Sequence, residues 1–240
     1  MENFDSTQFT IMVVEDHVFS RKAFINMLMR SGYKKVLAAE NGAEAIRMLN
    51  CHKVDLIITD INMPEVNGLE LIKAIRLGET GADIHTHIIA VTCLSDAATV
   101  SACMTLEIDS FLVKPITVKN AQDKIKLAIS QPRVLYQQHL YESVNTRVHL
   151  SESTSKKTDK AKDSQTKEVQ CEYFNPKNVN DLKEGMTLLD DLCMINGGCL
   201  LKAGTQINGK LLHRLYELSS IVEMGDLRVR VDRKKAANSS

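Results

Sequence analysis

The sequence predicts a doubly wound α/β domain built on a five-stranded parallel sheet, followed by a small α+β domain. Two patterns predict the first part. Short β-branched-rich runs, apolar on both faces, recur over residues 10–130 as buried parallel strands do. The segments between them place apolar residues three and four apart, as amphipathic helices do. The second part is predicted by a change of pattern after residue 170, where a hairpin signal precedes a single helix.

The strand-like runs are TIMVV (10–14), KVLAA (35–39), VDLIIT (54–59), HIIAVT (87–92) and SFLVK (110–114). FSRKAFINMLMRSG, NGAEAIRMLN, NGLELIKAIRLG, SDAATVSACMTLE and TVKNAQDKIKLAIS supply the helices between and after them. Gly32 and Gly78 stand where helix C-terminal glycines belong, Ser95 and Thr117 are N-cap candidates, and Pro132 ends the last helix. The first domain is therefore assigned to 1–131. Residues 133–150 carry an imperfect apolar stripe of Leu135, Leu140, Tyr141, Val144 and Val148, expected as a helix. Residues 151–170 are almost devoid of apolar side chains and read as a flexible linker, so 132–170 is the connector.

In the second domain, 171–240, two strand-like runs flank the turn Ile195-Asn196-Gly197-Gly198. Asn208 is placed to cap a helix whose Leu211, Leu212, Leu215 and Leu218 share a face, and IVEMGDLRVRVD offers one or two more strands.

Composition narrows the function classes. With 44% hydrophobic and 25% charged residues and a formal net charge of zero, nothing draws the whole chain to nucleic acid or an anionic membrane. The first residues are acidic and polar rather than signal-like, and no apolar run approaches the roughly 20 residues of a membrane span. The six cysteines are scattered without a C-x-x-C pair, and are expected as small buried hydrophobes in a reducing cytoplasm.

The chemistry lies at the strand ends. Glu15 and Asp16 close the first run, Asp60 the third, Thr92 the fourth and Lys114 the fifth. In a doubly wound sheet these ends meet in one crevice. Carboxylates within about 4 Å repel by several kcal/mol at an effective dielectric near 20, so the cluster calls for a divalent cation, and all-oxygen ligands suit Mg²⁺. A metal, an ammonium and a hydroxyl beside a nucleophilic carboxylate form a phosphoryl-transfer site. His17 is expected as an exposed polar residue, and His85 and His87 as loop and strand-start residues.

Residues 10–130 resemble the receiver domain of bacterial response regulators, through VVED (13–16), TDINMPEVNGLE (59–70), AVT (90–92) and FLVKP (111–115). The resemblance implies that Asp60 is the phosphoacceptor, served by a sensor histidine kinase or a histidine phosphotransfer protein. It further implies that Glu15, Asp16, Asp60 and the backbone carbonyl of Asn62 hold Mg²⁺, and that Lys114 and Thr92 contact the phosphoryl oxygens. Phe111 would be the switch aromatic, turning inward as Thr92 moves, and Pro115 would follow a cis peptide bond. Two positions depart from the pattern. Glu107 replaces a usual glycine and must adopt a left-handed backbone or reshape its loop. Leu94 cannot orient an attacking water, from which slow self-dephosphorylation is expected.

The segment 179–215 resembles a small module that accompanies receiver and HD-GYP-type signalling proteins, with Gly185, Met186, Asp190, Gly204 and Ile207 in place. Cyclic-dinucleotide synthase and hydrolase motifs are absent from it, and its single helix lacks a helix-turn-helix partner. A non-enzymatic protein-interaction output is expected, with nucleic-acid binding disfavoured and the downstream target unspecified. The alternatives are a DNA-binding transcriptional regulator and a phosphorelay adaptor, and the sequence leaves a homodimer open.

Overall fold

The computed structural model describes residues 8–93, 96–130, 134–147 and 172–231. The chain divides into two compact units, Met1–Thr146 and Arg147–Ser240.

In the first unit five strands alternate with five helices: β1 (Thr10–Val14), α1 (Val18–Arg30), β2 (Lys35–Ala39), α2 (Gly42–Leu49), β3 (Leu56–Asp60), α3 (Gly68–Arg76), β4 (His87–Thr92), α4 (Ala97–Thr105), β5 (Ser110–Val113) and α5 (Val118–Ser130). Every pairing is parallel and the strand order is β2-β1-β3-β4-β5. Ile11, Val13, Leu56, Ile58, Ile89, Val91 and Leu112 face Phe24 and Leu28 of α1 and Ala121, Ile125 and Ala128 of α5. The alternate set, including Met12, Ile57, Ile88 and Ala90, is equally buried, and the period of two puts it on the opposite face. Burial on both faces explains why these runs do not alternate with polar residues. The run at 35–39 departs from that expectation: β2 pairs only with β1, and its residues are exposed to half-buried except Ala39.

Local signals work mostly as read. Gly32 and Gly78 follow α1 and α3 with positive φ, and the Thr117 hydroxyl accepts from the Asn120 amide at 3.2 Å. Asp96 caps α4 through the amides of Ala98 and Thr99, a role the sequence had assigned to Ser95. Ser95 itself, Leu94, Pro132, Cys171 and the stretch 151–170 lie outside the described residues. The cysteines need correction: Cys103 is buried, but Cys51 and Cys93 are exposed and Cys193 and Cys199 half-buried.

The stretch after α5 also differs from the expected helical connector. Residues 134–146 form no α-helix; a 3-10 helix, Gln138–Ser143, lies along α3 as part of the first unit. Its anchor is Glu107, fully buried, whose φ of 53° is the left-handed backbone that a non-glycine residue there requires. The Glu107 carboxyl accepts from the amides of Tyr136 and Gln137 and from the Tyr141 hydroxyl. Left-handed backbone costs about 1–2 kcal/mol, and buried hydrogen bonds of roughly 1 kcal/mol each offset it. Beneath this cluster the buried Arg76 guanidinium donates to the carbonyls of Ile84, Thr86, Leu106 and Glu107. Burial pulls Arg76 below the ordinary guanidinium value, with Asp109 the leading opposing charge.

The second unit contains β6 (Glu172–Phe174), β7 (Met186–Leu188), β8 (Leu192–Met194), β9 (Cys199–Leu201), α6 (Gly209–Glu217), β10 (Val222–Glu223) and β11 (Val229–Val231). They form two three-stranded antiparallel sheets, β10-β8-β9 and β6-β11-β7. The expected hairpin is β8–β9, but the apolar run before it splits, sending β7 to the other sheet. Asn208 caps α6 by accepting from the Leu211 amide at 2.8 Å. Asp190 takes both nitrogens of the Arg228 fork, at 2.7 and 2.9 Å, so this motif residue fastens the chain near β11 to the end of β7.

One close approach fixes where α3 begins. A Cβ on Gly68 would stand 2.2 Å from the Asp60 carbonyl oxygen and 2.8 Å from Ile61 Cα, both backbone atoms. The Gly68→Ala protein should therefore be less stable by about 1–3 kcal/mol, the usual penalty of overpacking, measured as a lowered urea midpoint; an unchanged midpoint would show that the loop yields freely.

Candidate functional site

The site is assembled at the C-terminal ends of β1, β3 and β5. Lys114, immediately after β5, places Nζ 2.5 Å from Asp60 Oδ2 and 3.4 Å from Glu15 Oε2. Carboxylate oxygens of Glu15, Asp16 and Asp60 all lie within 4.8 Å of one another. Glu15 and Asp60 are 6% and 5% exposed, whereas Asp16 is open to solvent. The Lys114–Pro115 peptide is cis, as the resemblance implied.

Each loop is held by its own sequence. After β1, Arg21 reaches back from α1 to donate to the carbonyls of Glu15 and Asp16, while Glu15 N donates to Ala39 O at 3.2 Å. His17, exposed, caps α1 by accepting from the Ser20 amide at 3.4 Å, a role that sequence reasoning missed. After β3, the Asn62 amide donates to Asp60 Oδ1 at 3.2 Å, and Gly68 N to Ile61 O at 3.0 Å. Asn67 and Glu70 then form a reciprocal capping box at the start of α3. The spacing D-x-x-M-P-x-x-x-G-x-E thus has a mechanical reading: the glycine permits the return of the chain over Asp60 and the glutamate locks it.

The remaining expected residues lie at the same end of the sheet. Thr92 ends β4, and its carbonyl accepts from the Lys114 amide at 3.1 Å. Phe111 lies in β5, paired with Ala90 and 2% exposed. His85 and His87 stand at the opposite end of β4, away from this cluster; His87 is buried with Nδ1 3.3 Å from Asp109 Oδ1. A cleft of about 420 Å³ opens beside the site, lined in part by Glu15, Ser20, Phe24, Met27, Lys114 and Pro115.

Electrostatics show what the cluster lacks. Burial pushes the Glu15 carboxyl above its ordinary value and the Asp60 charge pushes it the same way, with Lys114 opposing both. Burial alone would lower Lys114, but its hydrogen bond to Asp60 and the two carboxylate charges outweigh that and raise it. One ammonium does not balance three carboxyl groups. The donor set is all oxygen and partly open to solvent, which fits a hard divalent cation such as Mg²⁺ at Glu15, Asp16 and Asp60.

The family described as "Response regulator receiver domain" matches residues 11–126. "Chemotaxis protein CheY1" of Helicobacter pylori is 34% identical over 120 residues, covering 50% of this chain and 95% of that protein. The "Chemotaxis protein CheY homolog" of Campylobacter jejuni is 37% identical over 117 residues, 48% of this chain and 88% of the relative. "Sensor histidine kinase RcsC" of Escherichia coli is 30% identical over 130 residues, only 13% of its own length. Among solved structures, a response regulator receiver protein from Pseudomonas putida aligns at 29% identity with a TM-score of 0.46, covering 49% of this chain and 95% of that one.

The raised Glu15 value has a sign. A carboxyl whose folded value is raised stabilises the fold below its unfolded value, and that contribution is lost as pH rises through the raised one. The Lys114 contribution is present below the ordinary amine value and persists through neutrality. Glu15→Gln should accordingly raise the metal-free melting temperature at neutral pH. Mg²⁺ at 100-fold over its dissociation constant should stabilise the natural chain by about 2.7 kcal/mol, and Glu15→Gln should shrink that gain. A melting temperature indifferent to Mg²⁺ would remove the metal reading.

Proposed function

Because residues 11–126 belong to the response regulator receiver family, we propose that the chain is a phosphorylation-controlled signalling protein that accepts a phosphoryl group on Asp60. The observation that carries the proposal is the 2.5 Å contact of Lys114 with an Asp60 carboxylate clustered with Glu15 and Asp16. The donor is the phosphohistidine of a sensor histidine kinase or a histidine phosphotransfer protein. An Asp60 oxygen attacks phosphorus, the phosphorus–nitrogen bond breaks, and the imidazole leaves with the electron pair and takes a proton. Lys114 holds Asp60 in place and balances charge on the transferred group, and the Thr92 hydroxyl donates to one of its oxygens. Glu15, Asp16, Asp60 and the Asn62 carbonyl would hold Mg²⁺, which would supply further neutralisation of the phosphoryl oxygens.

The second unit serves as the output, acting through protein contacts rather than by a reaction of its own. Among the described residues no helix is long and apolar enough to cross a membrane, and the proposed setting is the cytoplasm, where histidine phosphotransfer takes place. Phe111 couples the site to the surface from its buried position on β5.

Incubation with acetyl phosphate and Mg²⁺ should add one phosphoryl group to the intact mass, located on Asp60 by borohydride trapping. Asp60→Asn should abolish the adduct; an adduct persisting in that variant, or none in the natural chain, would overturn the assignment. Phe111→Ala should leave phosphorylation intact and change which proteins a pull-down retains on phosphorylation, and identical capture would exclude the aromatic from the relay.

A further inference from the structure

Residues 134–146 do more than end the first unit. They run along α3 from its last turn to its first. At one end Glu107 fixes Tyr136, Gln137 and Tyr141, the last only 1% exposed. Midway, Lys73 Nζ donates to the carbonyls of Glu142 and Val144, at 2.8 and 3.0 Å. At the far end Asn67 Nδ2 donates to Thr146 O at 3.0 Å. Arg147, the next residue, begins the second compact unit.

The two ends are unequal. The Glu107 end is held by three donors on one fully buried carboxyl, the buried Tyr141 hydroxyl among them, whereas the far end is held by partly buried bonds, from Lys73 to Val144 O and from Asn67 to Thr146 O. Asn67 is also the last residue of the loop that leaves Asp60, and its Oδ1 accepts from Glu70 N at 2.9 Å. That loop is braced at both ends, by the Asn62 amide on Asp60 Oδ1 and by Gly68 N on Ile61 O. Any change at Asp60 that shifts the loop must move the Asn67 side chain with it.

We propose that residues 134–146 are a signalling strap: Glu107 is its fixed anchor, and the Asn67–Thr146 bond is the releasable end through which the state of Asp60 reaches the start of the second unit. The strap role rests on Asp60 being the phosphoacceptor. It gives Glu107 a reason to occupy a left-handed position, since a glycine there would supply the turn but no anchor.

Amide hydrogen exchange on the full chain, resolved by residue, tests both ends. Without phosphodonor, Tyr136 and Gln137 should be protected, and Glu107→Gly, which relieves the backbone while removing the carboxyl, should speed their exchange at least tenfold with β3 unchanged. Equal exchange in both proteins would overturn the anchor. With acetyl phosphate and Mg²⁺, exchange at Val144, whose amide donates to Tyr141 O, should rise several-fold while Tyr136 and Gln137 hold. Asn67→Asp keeps the acceptor that caps α3 but loses the donor to Thr146, so in that variant Val144 should exchange fast with or without phosphodonor. An aspartyl adduct with Val144 unmoved would overturn the strap and leave the phosphoacceptor reading standing. Failure to form the adduct at all would overturn both.

Discussion

Three carboxyl groups crowded at the tips of neighbouring strands repel one another, and the first unit is organised around bearing that repulsion. Lys114 is the protein's own answer. Its ammonium sits on Asp60 and within reach of Glu15, and the charges of both raise its proton affinity despite burial. The balance is incomplete, because Glu15 remains shifted toward its protonated form. A site left short of positive charge, with all-oxygen donors and Asp16 open to solvent, suits a divalent cation.

Holding these charges together requires rigid loops, and the sheet supplies the starting points. The order β2-β1-β3-β4-β5 sets β1 beside β3, so Glu15 and Asp60 emerge on adjacent strands. β5 is separated from β3 by β4, and the long lysine side chain spans that gap. Backbone-directed contacts then fix the loops: Arg21 on the carbonyls of Glu15 and Asp16, Asn62 N on Asp60, and the Gly68 return with its Asn67–Glu70 lock. The cost of ordering these segments is met locally, which leaves the acidic side chains free to face the crevice.

The opposite end of the sheet carries a second polar centre of different design. Arg76, Glu107 and Tyr141 are all buried, and each satisfies groups that would otherwise be unpaired. There the chain uses polar burial for attachment rather than chemistry. A carboxyl in a left-handed turn collects the amides of a passing segment, as a helix cap collects those of a helix end. The segment so collected leads toward the loop of the acidic site, which links two polar clusters that share no residue.

The strands, most of the helices and the identity of the acidic site were legible in the sequence. Parallel strands buried on both faces leave uninterrupted apolar runs, and a strand-end carboxylate breaks such a run at a readable point. Asp60, Lys114, Glu15 and Asp16 stand out for that reason, and the glycine of the NGLE segment for its spacing. Edge position was not legible, because KVLAA has the composition of a central strand, and tertiary packing decides that β2 is half-covered while β5, the other edge, is largely buried. Nor was the fate of residues 134–146: their apolar stripe suggests a helix, but the side chain that captures them lies about thirty residues away in sequence. The sequence by itself determined which residues carry charge and where the chain must turn, since these follow from residue type and local spacing. Only the tertiary structure decided which charges meet and which segments are covered, because burial and pairing depend on partners that no local pattern encodes.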